Sequence, residues 1–69
     1  MEELIKQIKA ARTRAHLSQE DLAALSGISR RPIYLLESGK GAVRLDTLLK
    51  ILDSLGLKLT IGPKGLGLD

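Results

Sequence analysis

Two groups of residues in this sequence have the types from which a functional site is made. His16, Ser18 and Asp21 fall within six residues and name a base, a nucleophile and an orienting carboxylate, the components of hydrolytic catalysis. Their placement argues against that use. They span a loop and a helix start, Ser18 has a better explanation as a helix cap, and no oxyanion-hole motif accompanies them. No catalytic residue and no enzyme activity are expected. The second group is basic: Arg30, Arg31, Lys40 and Arg44 stand against Glu37 alone, while the rest of the chain balances seven acids with seven bases. The net charge of +3 is therefore local. A cluster of this kind suits phosphate groups, or else belongs to a solvated loop.

Other chemistries have little to build on. His16 is the only histidine and there is no cysteine, so a metal site would rest on carboxylates, a poor ligand set for structural zinc. Neither metal nor cofactor is expected. Tyr34 is the only aromatic residue, whereas single-stranded nucleic acid is held on several aromatic platforms, so duplex DNA is the better-matched polymer. Residues Met1 to Lys9 carry Glu2, Glu3, Lys6 and Lys9 in an order unlike a signal peptide, and Leu45 to Ile61 is broken by four charged residues. Export and membrane insertion are not expected, and a soluble, cytoplasmic protein is.

At 69 residues the chain suffices for one domain, and without disulfide or metal such a domain tends to lean on a second subunit. Four segments have apolar residues at helical spacing. In the first, Leu4, Ile5, Ile8, Ala11 and Ala15 share one face of a helix from Glu2 to Ala15, with Arg12 on that face. Ser18 opens the second as an N-cap, with Asp21 three residues on, and Gly27 ends it. Ser29 caps the third, which runs through Ile33 and Leu36 to Gly39; Pro32 in its first turn removes one backbone donor. On this third helix Arg30, Arg31, Tyr34 and Leu35 fall opposite Ile33 and Leu36.

Leu45, Leu48, Leu49, Ile51, Leu52 and Leu55 mark a fourth helix whose apolar arc of ~160° exceeds the ~100° that one core face occupies. Part of that arc should meet something else. After Gly56, the residues Leu57, Leu59 and Ile61 alternate with Lys58 and Thr60 as a half-buried strand without a mate in the chain. Pairing with a second copy satisfies it; the alternative is a tail packed on the core. Gly62, Pro63, Gly65 and Gly67 predict a flexible tail over residues 62–69, which leaves residues 1–61 as the folded domain.

Residues Ser18 to Gly39, reading SQEDLAALSGISRRPIYLLESG, resemble the helix-turn-helix of lambda-repressor-like, Xre-type DNA-binding domains. Leu22, Ala23, Gly27, Ile28, Ile33, Leu36 and Gly39 stand where that pattern expects their types, and they serve it physically: a small Ala23 permits close helix approach and Gly27 makes the turn. Ser26 departs from the pattern, which has an apolar residue there. The resemblance implies an all-α, four-helix domain followed by one C-terminal strand for dimerisation through Leu57, Leu59 and Ile61. It implies that Gln19, Lys40 and Arg44 meet phosphates and that Arg30 and Arg31 read bases, with Ser18, Ser29, Tyr34 and Leu35 completing the DNA-facing set. At the Leu35 position relatives are often polar, so readout there reduces to a thymine methyl or is absent. It also implies that Arg12 and Glu37 form a partly buried ion pair tying the first helix to the third.

The segment RLDTLLKILDSLGLKLTI, residues 44–61, is similar to HipB-like antitoxins, which implies a dimeric repressor of its own operon with a HipA-like kinase toxin as partner. A free-standing phage or host repressor has the same DNA chemistry. A protein-interaction module that kept the fold without binding DNA is the alternative from another class.

Overall fold

The computed structural model describes residues 2–69. Four helices, α1 (Glu2–Arg14), α2 (Gln19–Ser26), α3 (Arg30–Ser38) and α4 (Leu45–Ser54), precede two strands, β1 (Leu59–Gly62) and β2 (Gly65–Leu68). Each helix contributes to one core of Leu4, Ile8, Leu22, Ala23, Ile33, Leu36, Leu48, Ile51 and Leu52. Ile8, Leu22, Ile33, Ile51 and Leu52 are fully enclosed. Burying a side chain of that size contributes about 1.5–3 kcal/mol, so all four helices have reason to dock together. α2 packs against both α3 and α4, and α1 against α3 and β2.

The helix ends follow from local chemistry. Ser18 and Asp21 form a reciprocal capping box at α2: the Asp21 N–H donates to Ser18 Oγ and the Ser18 N–H to Asp21 Oδ2, both at 2.9 Å. α2 stops at Gly27, whose left-handed φ of 75° lets the Ile28 N–H reach back to the Ala23 carbonyl. At the end of α1 the left-handed residue is His16, φ 59°, with Leu17 N–H donating to Arg12 O and His16 N–H to Thr13 O. The helix therefore ends at Arg14, one residue earlier than its apolar pattern predicts, and Ala15 is exposed. Ser26, the departure from the apolar pattern, turns its hydroxyl onto its own helix, donating to Leu22 O at 2.6 Å.

The C-terminus corrects the sequence reading. The strand expected to lack a mate has one in the chain: β1 and β2 form an antiparallel hairpin with Leu59 opposite Leu68 and Ile61 opposite Leu66. Residues 62–69, read as a flexible tail, supply the turn and the second strand. The physical reason is the alternation of Leu66 and Leu68 with glycines, which places both leucines on the face shared with Leu59 and Ile61. Leu57 lies before the strand; its N–H donates to Leu52 O at 2.8 Å and closes α4.

Candidate nucleic-acid interface

α3 is only nine residues long, too short to be stable alone, so its orientation is set by what holds it. Ile33 and Leu36 anchor one side in the core. At its C-terminal end Glu37 receives Arg12 Nε at 2.7 Å and Nη2 at 2.9 Å in a two-pronged pair, while Arg12 Nη1 donates to the Leu17 carbonyl at 2.7 Å. The side chains are 11% and 3% exposed for Arg12 and Glu37. Hydrogen bonding to Glu37, against the opposing effect of burial, raises the Arg12 guanidinium above its ordinary value, so it stays charged. Gln19 Nε2 adds a third bond to Glu37 at 3.3 Å. The start of α2, the end of α1 and the end of α3 thus meet at one carboxylate.

The opposite side of α3 is open. Arg30 and Arg31 are exposed, Tyr34 is half exposed, and two shallow grooves flank the helix start. Gln19, Arg30, Arg31 and Tyr34 line one; Ser29, Arg31, Pro32, Leu35 and Arg44 are among the residues lining the other. Arg31 lies between them and has no acidic partner among the described residues. Ser29 occupies the N-cap position, yet its side chain makes no capping bond. Pro32, at the third helical position, has no N–H to offer it. Lys40 is exposed beyond the end of α3, and Arg44, at the N-cap of α4, lies 3.5 Å from Asp46.

Three residues differ from their expected settings. Leu35 is half-buried, and a Cβ added at Gly41 would come within 3.1 Å of its Cδ2, so it supports the loop after α3 instead of projecting freely. The Ser18 hydroxyl is engaged as a cap, accepting the Asp21 N–H. Arg30 is paired: its Nη1 donates to Glu20 Oε1 at 2.8 Å. Glu20 was not picked out by spacing or periodicity, because an i to i+10 contact across a turn depends on how the helices cross. His16 is not joined to Ser18 and Asp21 as a catalytic set; Asp21 faces the Ser18 backbone, and that N–H and the hydroxyl hold its carboxyl below the usual range.

A second surface lies at the hairpin. Lys58 and Asp69 exchange both backbone bonds, at 3.2 and 2.9 Å, so Leu59 and Ile61, at the alternate positions, turn their N–H and C=O groups away from β2. Ile61 is 80% exposed and its partner Leu66 53%. Leu45 and Leu49 on α4 are exposed as well, the uncovered part of that helix's wide apolar arc.

A small helix held by its neighbours so that its polar start faces outward is the arrangement of a helix-turn-helix, and residues 8–61 match the model of the helix-turn-helix family. The chain belongs to that family. Over 60 residues it is 40% identical to an uncharacterised HTH-type transcriptional regulator of Haemophilus influenzae, covering 87% of this chain and 61% of the relative. A second such regulator, from Sinorhizobium fredii, is 32% identical over 65 residues, 94% of this chain and 33% of the relative. The chain therefore spans less than two thirds of either relative. Within the helix-turn-helix, α2 and α3 are the paired helices, and the matched segment ends inside β1, leaving β2 beyond it. None of the described helices is long and apolar enough to cross a membrane.

Proposed function

We propose that this chain is a sequence-specific transcriptional repressor that places the start of α3 in the major groove of duplex DNA. The observation that carries the reading is Arg31: exposed, lining both grooves, and free of any acidic partner among the described residues. A guanidinium so placed suits the O6 and N7 acceptors of guanine. Gln19, Lys40 and Arg44 lie around the helix where phosphates would run, and the uncapped start of α3 leaves backbone donors for the same anions.

A second copy pairing along the outward edge of β1 gives a dimer, with Leu59 and Ile61 supplying the strand bonds and Ile61 and Leu66 the apolar contact. Such a dimer reads an inverted repeat with half-sites ~34 Å apart. It works in the cytoplasm, on the nucleoid. The resemblance of residues 44–61 to HipB-like antitoxins extends this to a repressor that also binds a kinase-like toxin.

Fluorescence titration against the duplex most enriched by the protein from a randomised pool, and against a scrambled duplex, tests the DNA-binding reading at several salt concentrations. Preference for the enriched duplex is the expected result. Equal binding to both, or binding to neither, overturns the repressor and leaves a protein-interaction module.

A further inference from the structure

Glu20 has no part in the roles assigned so far. It stands in the first turn of α2, and its bond to Arg30 spans the turn of the motif to the first turn of α3. The α2 N-terminus does not need it, since Asp21 already completes the capping box and supplies negative charge there. Nor does the pair contribute much to stability. Arg30 and Glu20 are 61% and 73% exposed, and ion pairs in that setting add little. What the pair changes is the charge that α3 offers outward: of two adjacent arginines, Arg30 is engaged by a carboxylate and Arg31 is not.

We propose that Glu20 is a specificity-determining residue for DNA binding, acting through Arg30. The inference rests on the DNA-binding reading above. By holding the Arg30 guanidinium, the carboxylate withholds it from phosphates, which every duplex offers alike. A site presenting guanine O6 and N7 in the correct register supplies two acceptors that draw the guanidinium off the carboxylate. Non-specific duplex offers no such exchange, so it is bound with one phosphate contact fewer. Specificity is a difference of affinities, and an element that weakens the wrong complex raises it as surely as a new contact in the right one.

Four proteins test this: wild type, Glu20→Gln, Arg30→Met and the double variant, each titrated across a salt series. The probes are the duplex that the wild type enriches most strongly from a randomised pool and a scrambled duplex of the same composition. Glu20→Gln is expected to tighten binding to the scrambled duplex about threefold or more and to steepen its salt slope by about one unit, as one added phosphate contact does. On the enriched duplex its effect is smaller, so the ratio between the two falls. In the Arg30→Met background the same substitution changes neither ratio nor slope. A tightening that persists unchanged without Arg30 means that Glu20 acts by general repulsion, and an unaltered ratio in Glu20→Gln means that it does not act at all; either overturns the proposal. Circular dichroism confirms that each variant is folded. Failure of the wild type to enrich any duplex is a distinct result, seen before a variant is compared, and removes the DNA-binding reading together with this one.

Discussion

Replacing Glu37 by alanine removes the carboxylate that receives Arg12, and the cost can be worked from the geometry. Arg12 loses two charge-assisted bonds, at 2.7 and 2.9 Å, and keeps only the Leu17 carbonyl. Its side chain is 11% exposed, so water reaches it poorly and most of the desolvation cost stays uncompensated. Breaking a buried pair from one side costs about 3–5 kcal/mol. The surviving Leu17 bond and the small opening to solvent favour the lower end, about 3 kcal/mol. A chain of this length has a net stability of roughly 3–10 kcal/mol, so the variant loses a large part of it, and its melting temperature falls by about 12–24 °C. Urea unfolding followed by circular dichroism measures the loss, with Glu2→Ala, an exposed acid at the start of α1, as the control within about 0.5 kcal/mol of wild type. The double variant Arg12→Met with Glu37→Leu leaves no orphan charge and recovers most of the stability. A Glu37→Ala loss no larger than that of Glu2→Ala would refute the reasoning, because both charges would then be solvated.

On the DNA-binding reading, Arg31→Ala costs about 1–3 kcal/mol on the enriched duplex and relaxes preference at one base pair per half-site, whereas Lys40→Ala weakens enriched and scrambled duplexes alike and makes the salt slope shallower by about one unit; titrations of both variants against both duplexes separate the two behaviours. Asp21, held below its ordinary value by the Ser18 N–H and hydroxyl, contributes stability that is fully present above the unfolded value of about 3.9 and is lost as the pH falls through the lower folded value. Asp21→Asn is therefore expected to be less stable than wild type at neutral pH and to approach it in acid, and pH-dependent urea midpoints that stay parallel count against the cap. Leu59→Pro removes an N–H that points away from β2 and leaves the hairpin's own bonds in place, so sedimentation at micromolar concentration should find it shifted toward monomer relative to a dimeric wild type, and a monomeric wild type contradicts the strand-paired assembly.

Much of the fold was legible because its boundaries have local causes. Ser18 with Asp21, Gly27 and Gly39 each mark a helix end by chemistry confined to a few residues, and those ends stand where the spacing places them. Arg12 and Glu37 were legible for a different reason: a charge on an apolar face must find a partner, and the resemblance to Xre-type domains is what matched the two. The hairpin was misread because Gly62, Pro63, Gly65 and Gly67 dominate its composition, and the alternation of Leu66 and Leu68 is too brief to stand out against them. The Glu20–Arg30 contact and the half-burial of Leu35 against Gly41 depend on crossing angles and loop path, which no periodicity encodes. At the candidate site, then, residue types and the Arg12–Glu37 pair were readable, and the Glu20–Arg30 pairing was not.

The pairings divide α3 into two ends of different character. Its C-terminal half is tied down by Leu36, by the Arg12–Glu37 pair and by Gln19 donating to the same carboxylate, so rotation of the helix about its axis would break several bonds at once. Its N-terminal half has an N-cap serine with no capping bond, a proline without a donor, and two arginines whose partners are one exposed carboxylate or none. Such a start is weak as a helix end, since the N-cap side chain satisfies none of its first N–H groups. It is suited to an anion brought from outside, because those donors and the positive end of the helix dipole already point outward. Capping this end within the protein, for instance by restoring a donor at Pro32 for the Ser29 hydroxyl, stabilises the free chain and removes part of what a phosphate would gain. On the DNA-binding reading, the open start of α3 and the closed grip on its far end are therefore complementary: the grip would supply the orientation in which an otherwise deficient helix terminus meets a phosphate in one register.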